Sequence, residues 1–397
     1  MNIKSLLFTL TLLLCSFFAL TIQAQSGKVL SLKIKATDRS YLLYIPAAYN
    51  GHTPWPLVLN FHALTGSAQS QMDISRMNGV ADREHFLIVY PEGLPVGSYN
   101  SGWNIPGNSI TGTQDDLQFT SDIIDDIYAN YNLDISKVYA TGWSIGGEMS
   151  FYLACAMSDR IAAVASVSGL MLDATISQCS PDRPVSMLQI YGTDDNVDPY
   201  NEKAPQFWSN YNNCDQDVLV TELPDIDPND NSTVTFFDYQ NCDENTQVHF
   251  YRVNGGGHAW PGSFSMSTLN QDINAHEVVW SFFQANPHPN PKEPEIITGT
   301  DKIIDGMVKV YPNPFYDSIT ITYEVKENAM IRIAIYDVTG KKLSVLVNKL
   351  HHPALYTVIW DGTDESGIKL NPGTYFCTVN IGSQSFSSKI IFNSPSD

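Results

Sequence analysis

Three kinds of residue that can together break an acyl bond stand at telling positions in this chain: a serine between glycines, a cluster of aspartates, and a histidine behind a glycine run. In "KVYATGWSIGGEMSFYLACAM", Ser144 lies between Gly142 and Gly146, after a β-branched and aromatic run and before a row of helix formers. A serine hydroxyl is a weak nucleophile that needs exposure, a base to take its proton, and donors for the oxyanion that forms. A tight strand–turn–helix elbow exposes it and aims the first backbone N–H groups of the helix at the reacting centre. Glycines two residues either side permit that turn, because side chains there would strike neighbouring backbone. An acid and then a histidine are expected at the carboxyl ends of later strands. "SMLQIYGTDDNVDPY" runs a buried strand into Asp194, Asp195 and Asp198, all three open as the acid by spacing alone. "VHFYRVNGGGHAWPG" runs a strand through glycines to His258, with Pro261 stiffening the exit. The oxyanion donors fall to the backbone N–H groups of Ile145 and, in the loop of "LVLNFHALTGSAQS", of Leu64, where His62 reads as a loop-ordering residue rather than a second base. Trp143, Trp260 and the Trp103 of "SGWN" offer flat apolar area for an acyl pocket.

These residues need a scaffold, and the surrounding pattern supplies one. "VLSLKIKATDRSYLLYIPAAY" alternates as an antiparallel hairpin. Buried strands follow at 57–61, 86–90, 137–141, 162–166, 187–191 and 248–253. Helical stretches separate them, clearest in "DDLQFTSDIIDDIYANY", where Phe119, Ile123, Ile127 and Tyr131 repeat every four residues. Alternating strands and helices predict an α/β unit with a mostly parallel sheet covered on both faces, closed by the helix "DINAHEVVWSFFQAN". "PHPNPKEPEIITGT" then reads as a semi-rigid linker, and the short alternating strands beyond it as a small all-β sandwich.

Length and charge bound what this scaffold can do. At 397 residues, 43% hydrophobic and 16% charged, the chain suits two folded units and a leader. A formal net charge of -20, nearly all on the first unit, disfavours nucleic acid and anionic membrane surfaces as partners. "MNIKSLLFTLTLLLCSFFALTIQAQS" has the lysine, apolar run and small residue Ala24 of a secretory signal peptide, and no other apolar run is long enough to span a membrane in the mature form. Export permits disulfides among Cys155, Cys179, Cys214, Cys242 and Cys377, while no His/Cys spacing supports a metal site and the chemistry needs no cofactor.

At "GWSIGG", "YGTDDNVDPY", "GGGHAWPG", "SGWN", "DDLQF" and "DINAHEVVWSFF" the chain resembles the extracellular polyhydroxybutyrate depolymerase and feruloyl esterase family of α/β-hydrolases, over about Val29 to Asn286. The resemblance implies Ser144 as nucleophile, Asp195 as acid, five residues before the Tyr200 of "DPY", and His258 as base. It also implies disulfides Cys155–Cys179 and Cys214–Cys242. The sequence departs from the family's usual glycine after the early histidine, where it has Ala63. Through "VYPNPF", "IRIAIYDVTGKKL" and "WDGTDESGIKLNPGTYFCTV" the tail is similar to type IX secretion sorting domains of Bacteroidetes-type bacteria, with an immunoglobulin-like fold. The expected organisation is a signal peptide at 1–24, an α/β-hydrolase unit at 25–286, a linker at 287–305 and a sorting sandwich at 306–397. The expected protein is a monomeric, exported or surface-held serine esterase, with an ester-linked polymer and the type IX machinery as partners. A serine peptidase on the same fold and a non-catalytic polymer-binding protein are the rival expectations.

Overall fold

The computed structural model describes residues 27–393 apart from 35, 36, 38, 52, 109–111, 264–268, 293–307 and 383, so the leader lies outside the described residues. The chain opens with the expected hairpin, β1 (Lys28–Lys33) and β2 (Ser40–Ile45), then β3 (Trp55–Phe61). Helices α1 (Ala68–Ser75) and α2 (Met77–Glu84) precede β4 (Leu87–Pro91) and a small ribbon of β5 (Leu94–Val96) and β6 (Tyr99–Gly102). The central run is α3 (Asp116–Asn130), β7 (Leu133–Trp143), α4 (Ile145–Ala156), β8 (Ala163–Val167), α5 (Asp173–Gln178) and β9 (Ser186–Gly192). The unit finishes with α6 (Lys203–Tyr211), β10 (Val218–Glu222), β11 (Thr233–Tyr239), β12 (Val248–Asn254) and α7 (Ala275–Ala285).

Ten strands form one sheet in the order β1-β2-β4-β3-β7-β8-β9-β12-β11-β10. The middle strands, from β4 to β12, pair in parallel, and antiparallel hairpins extend both edges. The β10–β11 extension is a hairpin that the sequence reading did not anticipate. Each central strand is apolar on both sides, since alternate residues enter different cores. Leu57, Leu59 and Phe61 of β3 and Val138 and Ala140 of β7 face the cluster that holds Phe119, Ile123 and Ile127 of α3 and Met149 and Leu153 of α4. Val58 and Tyr139 face the other cluster, with Val80 of α2 and Val279 and Phe283 of α7. The chain winds outward in both directions from the β3–β7 pair, and the crevice at the carboxyl ends of strands at such a switch is where ligands bind in open α/β sheets. The loop of Leu64 leaves β3 and the loop of Ser144 leaves β7, so neighbouring strands bring the two together.

Two disulfides are formed, Cys155–Cys179 between the ends of α4 and α5, and Cys214–Cys242 between the turn after α6 and the chain leaving β11. Cys377 is a buried free thiol.

Beyond the linker, β13 (Val308–Tyr311), β14 (Ile319–Val325) and β17 (Ala354–Trp360) form one antiparallel sheet. β15 (Ala329–Asp337), β16 (Lys342–His351), β18 (Gly373–Ile381) and β19 (Gln384–Phe392) form a second. Strict alternation, as in the Ile319, Ile321, Tyr323 and Val325 of β14, packs the inner faces around Trp360, Ile333 and Cys377.

The linker differs from expectation at its start. His288 is buried; its N–H donates to Ser136 O at 2.7 Å, and Lys292 N donates to Asp159 O at 2.8 Å. The segment 286–292 therefore belongs to the first unit: its Asn and His side chains satisfy backbone groups that a free tether would leave to water. The sandwich meets the same end of the first unit. Asn313 N donates to Asn130 O at 2.9 Å, and the Lys309 ammonium lies 4.0 Å from the Tyr128 ring centroid. Asn130 precedes the start of β7, so these contacts lie at the sheet edge opposite the loop of Ser144.

Candidate active site

Ser144 occupies a backbone conformation that an L-residue rarely adopts, φ 57° and ψ -126°, between the last residue of β7 and the first of α4. Such strain persists only where the surroundings fix it. Here Ser144 N donates to Val167 O at 2.9 Å, and Ser144 O accepts from Gly147 N at 2.8 Å and Glu148 N at 3.1 Å. The flanking glycines are steric necessities. A Cβ on Gly146 would stand 2.1 Å from Phe61 O, and one on Gly142 would stand 2.5 Å from Gly146 backbone. The backbones of β3 and of the α4 turn thus touch, which sets Ser144 beside the loop after β3.

His258 and Asp195 come together from different strand ends. His258 Nδ1 lies 2.7 Å from Asp195 Oδ2, and the other carboxylate oxygen accepts from Val197 N at 2.9 Å and Asp198 N at 3.1 Å. Burial pushes the Asp195 carboxyl up, but the hydrogen bond from His258 and those two N–H donors outweigh it and hold the group below the usual carboxylate range. A carboxylate on Nδ1 fixes that nitrogen as the donor and leaves Nε2 free to take a proton. The two loops are laced to each other, with Thr193 N donating to Val253 O at 3.0 Å and Asp194 N to Gly256 O at 2.9 Å. Of the three aspartates open by spacing, Asp195 alone has its carboxylate on the histidine; the Asp194 side chain is exposed beside Thr193, and Asp198 enters through its backbone N–H.

The loop after β3 is held by His62, which is fully buried. Its Nε2 accepts from Gly93 N at 2.9 Å while Nδ1 donates to Ala63 O at 2.7 Å. Burial is the main cause that lowers the imidazole to about 4, so it stays neutral, as that donor–acceptor pattern requires. Trp103 Nε1 donates to His62 O at 2.8 Å, and Ser101 O accepts from Thr65 N at 2.9 Å. Behind Trp103, Asn104 N donates to Asp116, whose carboxylate pairs with Arg39 at 2.7 Å. Ile145 N is the first of the N–H groups that a helix start leaves without an internal acceptor. Among the described residues no group accepts from Leu64 N either.

The three tryptophans part company. Trp143 is half-buried, with its ring centroid 5.7 Å from that of His258, and can meet a bound group. Trp103 and Trp260 have no exposed surface, so neither walls an open pocket here: Trp103 braces the β3 loop, and Trp260 packs in the core shared with α7. Sequence reasoning also missed Ser168, whose hydroxyl donates to Ala259 O at 2.8 Å and accepts from Ala259 N at 3.2 Å, anchoring the residue after His258. Its signal was a serine ending the buried strand of "VASVSG". Among the described residues no group of three or more His, Cys, Asp or Glu side chains could hold a metal ion.

A strained serine at a strand–helix joint and a histidine–aspartate pair, both at the carboxyl ends of a mostly parallel sheet, define an α/β-hydrolase. Residues 39–187 match the family described as esterase PHB depolymerase, and residues 309–393 match the secretion system C-terminal sorting domain. Probable feruloyl esterase C of Aspergillus terreus is 31% identical over 255 residues, which cover 62% of this chain and 83% of that protein. Feruloyl esterase B of Piromyces equi is 29% identical over 240 residues, 56% of this chain but 42% of the relative, so this chain spans less than half of that protein's length. Among solved structures, an acetyl xylan esterase from Aspergillus awamori aligns with 65% of this chain and 100% of its own, at 15% identity and a TM-score of 0.47. The chain belongs to the PHB depolymerase and feruloyl esterase family of α/β-hydrolases, and carries a C-terminal sorting domain that marks it for secretion or the cell surface.

Proposed function

We propose that the chain is an exported serine carboxylesterase that removes acyl groups from an ester-linked polymer or its fragments. Feruloyl or acetyl esters of polysaccharide come first, since the relatives are named for such substrates; polyhydroxyalkanoate and aromatic polyester share the same bond. The observation that carries the reading is the 2.7 Å pairing of His258 with Asp195, in an α/β-hydrolase whose strained elbow presents Ser144. His258 Nε2 takes the Ser144 proton as Oγ attacks the ester carbonyl, and the imidazolium that forms is stabilised by Asp195. Ile145 and Leu64 N–H groups hold the oxyanion. The tetrahedral intermediate collapses, the alcohol leaves with the proton from His258, and water repeats the sequence on the acyl-enzyme. Trp143 lies against the acyl group. The sorting domain hands the chain to a type IX secretion machinery of a Bacteroidetes-type bacterium.

The test is a panel of methyl ferulate, acetylated and feruloylated xylan, polyhydroxybutyrate film and a matched anilide, given to the purified chain. Turnover of one or more esters, with the anilide cleaved far more slowly, is expected. Comparable anilide cleavage would move the protein to the peptidases, and binding without turnover to the polymer-binding proteins.

A further inference from the structure

A carboxyl group that the mechanism above does not use lies one turn from the nucleophile. Glu148 sits in the first turns of α4, its N–H donating to Ser144 O at 3.1 Å, and its residue is only 6% exposed. Its side chain accepts from Asn108 Nδ2 at 2.9 Å, which pins the chain that runs on from Trp103 and Asn104. Pro106 O in the same stretch accepts from Thr175 of α5 at 3.2 Å, so this segment bridges α4 and α5 beside the elbow.

Among the described residues, the titratable groups coupled to this one are an acid and a phenol, Asp198 and Tyr191. The end of β9 and its loop bring Tyr191 and Asp198, with the Tyr191 hydroxyl donating to Asp198 O at 2.8 Å and Asp195 acting on Tyr191. The loop after β12 brings His258, which acts on Asp198. The segment of Asn108 brings an amide, while the Asp173 of α5 is largely exposed and pairs with Lys203 at 2.5 Å. The carboxyl ends of β3, β7 and β8, "LNF", "TGW" and "ASV", bring neither cation nor carboxylate. Among the described residues no counter-ion therefore offsets a charge on Glu148, and Asp198 opposes one. The positive end of the α4 dipole favours the ionised form only modestly. Burial, then the Asp198 charge, outweigh it and push Glu148 up to about 8.

We propose that Glu148 is a positioning residue that works as a carboxylic acid: it grips Asn108 against the nucleophile helix and leaves Asp198 without a facing charge, so that the loop presenting Asp195 keeps its geometry. The link to the reaction is the Asp198 N–H, which donates to Asp195 Oδ1 at 3.1 Å. An ionised Glu148 repels Asp198, withdraws that donor, and adds negative charge near the site where the oxyanion must form. Activity falls on the alkaline side as Glu148 ionises. This inference rests on the serine esterase reading.

The experiment is the pH profile of kcat/KM from pH 6 to 10 on p-nitrophenyl acetate, corrected for spontaneous hydrolysis, for the full chain and three variants. The wild type is expected to lose activity with a midpoint near the value set by Glu148, about tenfold per pH unit beyond it. Glu148→Gln keeps the acceptor for Asn108 and cannot ionise; it retains most of the neutral-pH activity and loses the alkaline decline. Glu148→Ala loses the grip and also cannot ionise; it runs about tenfold below the neutral-pH wild type and shows no alkaline decline. Should both Glu148 variants fold poorly, Asp198→Asn, an isosteric change at a half-buried position, moves the midpoint to lower pH, because the opposing charge is gone. A wild type flat to pH 10, a Glu148→Gln profile that still declines, or an Asp198→Asn midpoint that stays put overturns the proposal. Absence of turnover at any pH would instead remove the esterase reading on which it rests.

Discussion

Asp195 stands out from Asp194 and Asp198 through what its two oxygens meet, a histidine nitrogen on one and two backbone N–H groups on the other. That choice was open by spacing, because three carboxylates within five residues look alike until the turn folds; resemblance, not periodicity, pointed to the second. Ser144 and His258 were legible as candidates, since glycine-flanked turns and strand ends leave marks in sequence. Glu148 and Ser168 left almost none, because their roles depend on partners at 108, 198 and 259. Replacing Ser144 by alanine, or Asp195 by asparagine, is expected to lower kcat roughly 10⁴-fold with the fold intact. Asp194→Asn, whose side chain is exposed, is expected to remain within about twofold; steady-state kinetics beside circular dichroism distinguishes these. His62 makes a prediction in pH. Its folded value of about 4 lies below the 6.5 of an unfolded histidine, so its contribution to stability is complete above pH 6.5 and is lost as pH falls towards 4. Calorimetry from pH 7 to 4 should show a flatter Tm for His62→Gln than for the wild type. Loosening of the β3 loop should also cost about tenfold in turnover, since donors must sit where the oxyanion forms.

At the scale of elements, the site is a consequence of β3 and β7 lying side by side. Their contact is close enough that Gly142 and Gly146 cannot carry side chains. The buried strands and the α3 stripe were legible from apolar runs and four-residue spacing. The β10–β11 hairpin was not: β10 leaves Leu219 and Val220 exposed, so its alternation does not report a buried face. The start of the linker misled for a related reason. Proline, asparagine and histidine signal irregular backbone, but irregular backbone can still be hydrogen-bonded to a domain, as at His288. The Cys155–Cys179 bridge ties the nucleophile helix to α5 across 24 residues of sequence. Chain-entropy reasoning assigns it about 3 kcal/mol. A Cys155→Ala/Cys179→Ala chain is therefore expected to lose about that free energy of unfolding in urea, with a lower midpoint and a somewhat larger m-value because the unfolded chain is less constrained, while folded molecules keep their turnover. An unchanged midpoint would mean that the bridge is energetically idle.

For the whole molecule, the sorting sandwich and the segment 286–292 both meet the amino-terminal edge of the central strands, whereas the catalytic loops leave the carboxyl edge. Two folded units were legible from the change of strand pattern and the fall in net charge past the linker; their contact through Asn130 and Tyr128 was not, because it depends on a few polar groups. A chain ending at Lys292 should keep soluble-ester turnover within about twofold. One ending at Ala285 uncovers Arg183 and the carbonyls near Ser158, and should lose several degrees of Tm. All of this presumes that the elbow serine forms a covalent acyl-enzyme, and that can be read directly. The full-length chain is mixed with an activated aryl ester, quenched in acid within milliseconds, digested, and mapped by mass spectrometry. One acyl group per chain is expected on the peptide bearing Ser144, with a matching burst of phenolate, and neither in Ser144→Ala. Acylation at another residue, or rapid turnover with no acyl group on Ser144, would contradict it.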